Sequence, residues 1–160
     1  MIRVAVLMIS SKILSGQEPD KNRKSLEVTL TNHQLTLLSY DVVADDREAI
    51  SRQLNTICET TAPHIILTLG GTGVRPTDWA PEATRDVIEK EIPGIGEAMR
   101  AESLKKVRTA MLSRGTAGIK GTTLIMNLPG SINGVQENLN IVLPLLEHMV
   151  EKMGSMATSS

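Results

Sequence analysis

Leu67-Thr68-Leu69-Gly70-Gly71-Thr72-Gly73-Val74-Arg75-Pro76-Thr77-Asp78-Trp79-Ala80-Pro81-Glu82-Ala83-Thr84 runs from an aliphatic strand, through a glycine turn and an acidic residue, into a helix opening at Pro81. Three glycines within four positions, Gly70, Gly71 and Gly73, let the backbone take φ > 0 and bring its N–H groups close to a ligand. Consecutive N–H groups in such a turn, beside a helix start, form a concavity suited to phosphate. Asp78 conflicts with that use, because a carboxylate repels phosphate unless a divalent cation lies between them. The stretch therefore points to a magnesium-dependent nucleotide site. The same residues also fit a surface turn with Asp78 near a helix N-terminus, where acids are favoured.

Working outward, Val4 to Ile9 is a short apolar run suited to a strand buried on both faces, and His64 to Leu69 leads into the glycine turn. Leu35 to Val43 and Thr122 to Asn127 read as two further strands. Between them, Ser25 to His33 carries Leu26 and Leu30 at helical spacing, and the segment after Asp46 carries Ile50, Leu54 and Ile57. Ala83 to Ile92 reads as a helix stopped by Pro93-Gly94, followed by a solvated helix over Gly96 to Val107. Thr109 to Gly121 reads as an irregular excursion, and Gly134 to Met153 as the last helix. This alternation predicts an α/β fold: a three-layer, doubly wound, mostly parallel sheet with helices on both faces. Residues 1–154 are expected to form a single domain, and 155–160 a flexible tail.

Composition narrows the function classes. With 160 residues, 41% hydrophobic and 22% charged, the chain has material for one core. A formal net charge of −1 supplies no field for nucleic acid or an anionic membrane. One Trp, one Tyr and no Phe leave no platform for stacking single-stranded bases. The single cysteine, Cys58, excludes an intrachain disulfide and reads as a structural thiol in a reducing cytosol. Met1 to Leu7 is too short for a signal-peptide core, so the expected location is cytoplasmic. His64, after Pro63 at a strand entry, reads as solvated or backbone-bonded.

If the strands are parallel, Ser10–Asp20, Asp45–Asp46, Gly70–Asp78 and Asn127–Ser131 gather at one rim, where open α/β sheets bind ligands. Asp45 also has a purely structural reading: followed by Glu48, it fits a capping box with Asp in the Ser/Thr place.

On these elements the chain resembles the molybdopterin adenylyltransferases of molybdenum-cofactor biosynthesis, a domain also present in gephyrin. The likeness extends from about Arg3 to Lys152. It is carried by Gly70-Gly71-Thr72-Gly73 with Asp78, Pro81 and Glu82, and by Asn127-Leu128-Pro129-Gly130-Ser131. Val43-Ala44-Asp45-Asp46, Pro93 to Arg100 and Leu112-Ser113-Arg114 also resemble family segments. The resemblance implies a doubly wound domain assembling as a homotrimer, in some members a hexamer. It implies that ATP and molybdopterin are substrates, with Mg²⁺ as cofactor and pyrophosphate released. It places catalysis and metal binding on Asp45 and Asp78, and nucleotide phosphate on Gly70, Gly71, Thr72 and Gly73 with Ser10. The pterin falls to Asn127, Pro129, Gly130 and Ser131, and the downstream molybdenum-insertion protein is the expected partner.

Departures fall mostly in the first loop. Ser10-Ser11 stands where the family often has Ser-Asp, and Lys21-Asn22-Arg23 follows Asp20 where the family commonly has a Ser-Gly. Leu69 replaces the second of two threonines usual before the glycines, and Ala80 replaces a usual threonine. These changes bear on adenine and ribose contacts more than on the metal site. They also leave open a catalytically silent paralogue that binds molybdopterin or the finished cofactor as a carrier or scaffold. An oxidoreductase binding a dinucleotide is disfavoured, because Gly-Gly-Thr-Gly follows the third strand and is not an early G-x-G-x-x-G.

Overall fold

A computed structural model of the chain describes residues 1–154, so the tail expected over 155–160 lies outside the described residues. In chain order the elements are β1 (Arg3–Ile9), α1 (Ser11–Leu14), α2 (Asn22–Asn32), β2 (Thr36–Val43), α3 (Arg47–Thr60) and β3 (Ile65–Leu69). There follow α4 (Ala80–Arg85), β4 (Lys90–Glu91), α5 (Pro93–Leu104), a 3-10 turn (Arg108–Leu112), β5 (Ala117–Lys120), β6 (Thr123–Leu128) and α6 (Ile132–Met153). The sheet runs β2-β1-β3-β6-β5-β4. The first four strands in that order are parallel, and β5 and β4 join antiparallel at the far edge.

The period of two along each central strand builds a layer on each face. Val4, Val6 and Met8 of β1 share one core with Leu26 and Leu30 of α2, Met99 of α5 and Leu139 of α6. Ala5, Leu7 and Ile9 face the other way, onto Ile50, Leu54 and Ile57 of α3 and Ala80 and Ala83 of α4. The expected three-layer α/β architecture is therefore present. Because β2 and β3 flank β1 on opposite sides, the direction of winding reverses between β1 and β3. A crevice opens at such a reversal, at the carboxyl ends of the strands.

Three local expectations are corrected. The helix expected over Ala83–Ile92 ends at Arg85, and Lys90–Glu91 is an edge strand paired to β5. Val87 and Ile88 still point inward, as the apolar pattern required. Pro93 does not stop a helix; it occupies the first turn of α5, where its missing N–H leaves no bond unmade. The excursion over Thr109–Gly121 contains the 3-10 turn and β5, whose Gly118 lets Ile88 and the Lys90 carbonyl approach: a Cβ there would overlap Ile88 Cδ1.

Candidate functional site

A cleft of about 1150 Å³ occupies the crevice. Its walls include Ser10 after β1, Asp45 after β2, Gly70 to Gly73 and Asp78 after β3, and Asn127 to Ser131 (without Leu128) at the end of β6. Every residue to which the resemblance gave a catalytic, metal, nucleotide or pterin role thus lines one cavity, although they lie up to 121 positions apart, from Ser10 to Ser131.

The glycines of the turn are required for different reasons. Gly70 has φ +95°, and a Cβ there would lie 2.8 Å from the Ile9 carbonyl oxygen; Gly71 has φ +72°. Gly73 instead leaves room for the Asp78 carboxylate, whose Oδ2 would lie 2.9 Å from an added Cβ. The Gly70 N–H donates to the Leu128 carbonyl at 3.0 Å, so it continues the sheet and does not face a ligand. Among the described residues, the N–H groups of Gly71, Thr72 and Gly73 have no hydrogen-bond acceptor. The cradle expected over four amides narrows to these three.

Asp45 and Asp78 are both half-buried at the cleft. Asp45 Oδ2 accepts the Ser11 N–H at 2.9 Å, and the Asp45 N–H donates to Ser11 Oγ at 2.9 Å. Asp78 Oδ2 accepts the Arg75 N–H at 3.0 Å. In each carboxylate the other oxygen receives no hydrogen bond from the described chain. The capping-box reading of Asp45 is overturned: Asp46 caps α3, its Oδ2 accepting the Ala49 N–H at 2.9 Å. A one-residue shift frees Asp45 to face the cleft.

Arg114 holds the glycine turn in shape. Its N–H donates to the Thr72 carbonyl at 2.7 Å, Nε to the Gly73 carbonyl at 2.7 Å, and Nη2 to the Asp78 carbonyl at 2.9 Å. Nη1 pairs with Glu82 at the start of α4. Burial pushes the Glu82 carboxyl up, but Arg114, the residue's own amide and Arg85 outweigh it and hold the group below the usual carboxylate range. Sequence reasoning noted Arg114 only as part of a family-like segment. Its partners lie 32 to 42 positions away, from Glu82 to Thr72, so no local spacing reveals the role.

Asn127 is 1% exposed, and its side chain faces the interior. Nδ2 donates to Thr68 Oγ1 and Thr84 Oγ1, each at 2.9 Å, and Oδ1 accepts the Thr116 N–H at 3.1 Å. Both amide hydrogens are engaged, so the Asn127 side chain ties β6 to β3, α4 and the entry to β5. Ser10 and Ser131 are helix caps: Ser10 Oγ accepts the Ile13 N–H, and Ser131 Oγ accepts the Gly134 N–H, each at 3.1 Å. Gly130 packs on Gly70, an added Cβ lying 3.3 Å from the Gly70 Cα. Pro129 and Gly130 bring that turn against the cradle.

Away from the cleft, His64 Nδ1 accepts the Arg3 N–H at 3.0 Å, the expected backbone-bonded imidazole. Burial, with help from Arg3, lowers its pKa. Burial raises the Cys58 thiol, with Lys120 and Thr123 opposing, which suits a structural residue better than a nucleophile.

The model of a family described as "Probable molybdopterin binding domain" matches residues 5–148. The molybdopterin adenylyltransferase of Helicobacter pylori (strain J99) is 39% identical over 152 residues, covering 94% of this chain and 86% of that protein. The molybdopterin adenylyltransferase of Escherichia coli (strain K12) is 36% identical over 140 residues, covering 86% of this chain and 72% of that protein. The crystal structure of the molybdopterin biosynthesis enzyme MoaB from Thermus thermophilus superposes with a TM-score of 0.89 at 39% identity, covering 96% of each chain.

Proposed function

Because the chain belongs to the molybdopterin-binding domain family of molybdenum-cofactor biosynthesis, we propose that it is a nucleotidyltransferase that adenylylates molybdopterin with ATP and releases pyrophosphate. The observation that carries this reading is one cleft holding three uncommitted turn amides and two carboxylates from separate strand ends.

An oxygen of the terminal phosphate of molybdopterin bonds to the α-phosphorus of ATP, while the bond from that phosphorus to the β-phosphate bridging oxygen breaks. Pyrophosphate leaves with the electron pair. The attacking phosphate monoester is already largely ionised near neutral pH, so no residue need act as a base. The amides of Gly71, Thr72 and Gly73 bind phosphate oxygens, and the Arg114 clamp keeps them aimed at that charge without reorganisation. Asp45 and Asp78 are the residues that would hold Mg²⁺. A pair of carboxylates, each with an oxygen not committed to the chain, matches an ion that takes one or two protein carboxylates and completes its shell with phosphates and water. Mg²⁺ supplies charge neutralisation between the two anionic substrates. The same reading expects a cytoplasmic homotrimer that hands its product to the molybdenum-insertion protein.

The second reading, a non-catalytic molybdopterin carrier, is favoured by the altered first loop, where Ser11 is bonded to Asp45 in both directions. Mixing the protein with ATP, Mg²⁺ and molybdopterin and following pyrophosphate separates the two. Steady release is expected; tight pterin binding with no pyrophosphate would leave only the carrier.

A further inference from the structure

The first loop departs from the family pattern over Lys21-Asn22-Arg23, and the structure gives Asn22 and Arg23 definite work. Asn22 opens α2, is 6% exposed, and donates from Nδ2 to the Gly130 carbonyl at 2.8 Å. Lys21 at the helix start makes no side-chain cap. The first turn is ordered by Asp20 instead, whose Oδ1 accepts the Asn22 N–H at 3.0 Å. The other carboxylate oxygen of Asp20 accepts the Tyr40 hydroxyl of β2 at 2.6 Å. The Arg23 guanidinium lies over the Tyr40 ring, 5.0 Å from its centroid. A continuous set of bonds therefore runs from the edge strand β2, through Asp20 and Asn22, to the turn between β6 and α6.

We propose that Asn22 is a positioning residue for the pterin end of the cleft, acting through the Gly130–Ser131 peptide and anchored by Asp20 and Tyr40. The inference rests on the adenylyltransferase reading and deepens it. A trans peptide is planar, so fixing the Gly130 carbonyl on the Asn22 side fixes the Ser131 N–H on the opposite side. That N–H has no acceptor among the described residues, and Ser131 lines the cleft. The same peptide borders the contact of Gly130 with Gly70, so its orientation also sets where the two glycine turns meet. Glycine at position 130 has no side chain to hold the plane itself, so a distant amide donor supplies the constraint. The nucleotide end, at Gly71 to Gly73, is held separately by Arg114.

The test is calorimetric titration of wild type, Asn22→Asp, Asn22→Ala and Tyr40→Phe with molybdopterin and, separately, with ATP and Mg²⁺. Asn22→Asp keeps the size and replaces the donor by an acceptor facing the carbonyl. Both Asn22 variants should bind molybdopterin about tenfold more weakly, with ATP affinity within about twofold, since one buried hydrogen bond is worth about that factor. Tyr40→Phe, which keeps the packing and releases only the anchor, should weaken molybdopterin binding by a smaller factor, about two- to fivefold. Unchanged molybdopterin affinity in Asn22→Asp, or equal weakening for both ligands, overturns the positioning role even where wild type releases pyrophosphate. Wild type that binds neither ligand overturns the adenylyltransferase reading, and this inference with it.

Discussion

Asp45 and Asp46 are neighbours with separable roles. Asp46 caps α3 and stays outside the cleft, so Asp46→Ala should cost about 1 kcal/mol of stability with turnover retained. Asp45→Asn and Asp78→Asn should do the reverse, lowering kcat by about 10²-fold or more while molybdopterin affinity changes little. Urea unfolding and single-turnover kinetics on the three variants check both halves; equal loss of turnover and affinity in Asp78→Asn would argue against its metal role. At Arg114, one side chain serves two carbonyls, of Gly73 and Asp78, and the Glu82 carboxylate. Arg114→Met should cost about 1–3 kcal/mol, the upper range being reduced because the guanidinium is partly solvated. Glu82 is held below its unfolded value, so its contribution is complete above the ordinary carboxylate pKa of about 4.3 and disappears as pH falls through the lower folded value. Denaturant midpoints between about pH 3 and 7 should show an acid loss in wild type that is smaller in Glu82→Gln, where Asp86 and Glu91 still contribute theirs.

The element most sensitive to change is the glycine turn, because it must pass between two strand ends. An alanine at Gly70 would need φ +95° and would drive its Cβ to 2.8 Å from the Ile9 carbonyl. Gly70→Ala should therefore destabilise by about 1–3 kcal/mol and lower nucleotide affinity, read by thermal unfolding and ATP titration. Exposed Gly121, at φ +59° with open space around its Cβ position, should tolerate alanine better and serves as the control for backbone strain alone. The antiparallel edge shows the opposite balance. Lys90–Glu91 is too short to announce itself as a strand, and it forms because β5 presents a free edge and Gly118 lets the two chains close. Pairing partners nearly thirty positions apart leave no periodic trace in either segment.

On the scale of the whole molecule, the site exists because β1 lies between β2 and β3. That order brings Ser10 and Gly70 side by side and sets Asp45 on the neighbouring strand end. The proposed homotrimer predicts a sedimentation mass of three times the 17.3 kDa of one chain, and a mass of one chain at micromolar concentration would remove it. Exposed Leu104, Val107, Met111 and Leu112, clustered from the end of α5 through the 3-10 turn, give a surface on which to look for protection by hydrogen exchange.

The sequence alone determined the class of fold and the chemistry on offer. Buried strands read as unbroken apolar runs, amphipathic helices repeat at their own period, and a Gly-Gly-Thr-Gly turn followed by Asp78 has few physical uses. Tertiary structure alone decided which atoms of those residues are free. Gly70 N–H and the Asn127 side chain are taken by the sheet and the core, Asp46 and not Asp45 caps its helix, and Arg114 and Asn22 reach the site from far along the chain. Hydrogen-bond partners at long separation are set by how layers pack, and local patterning carries no record of them.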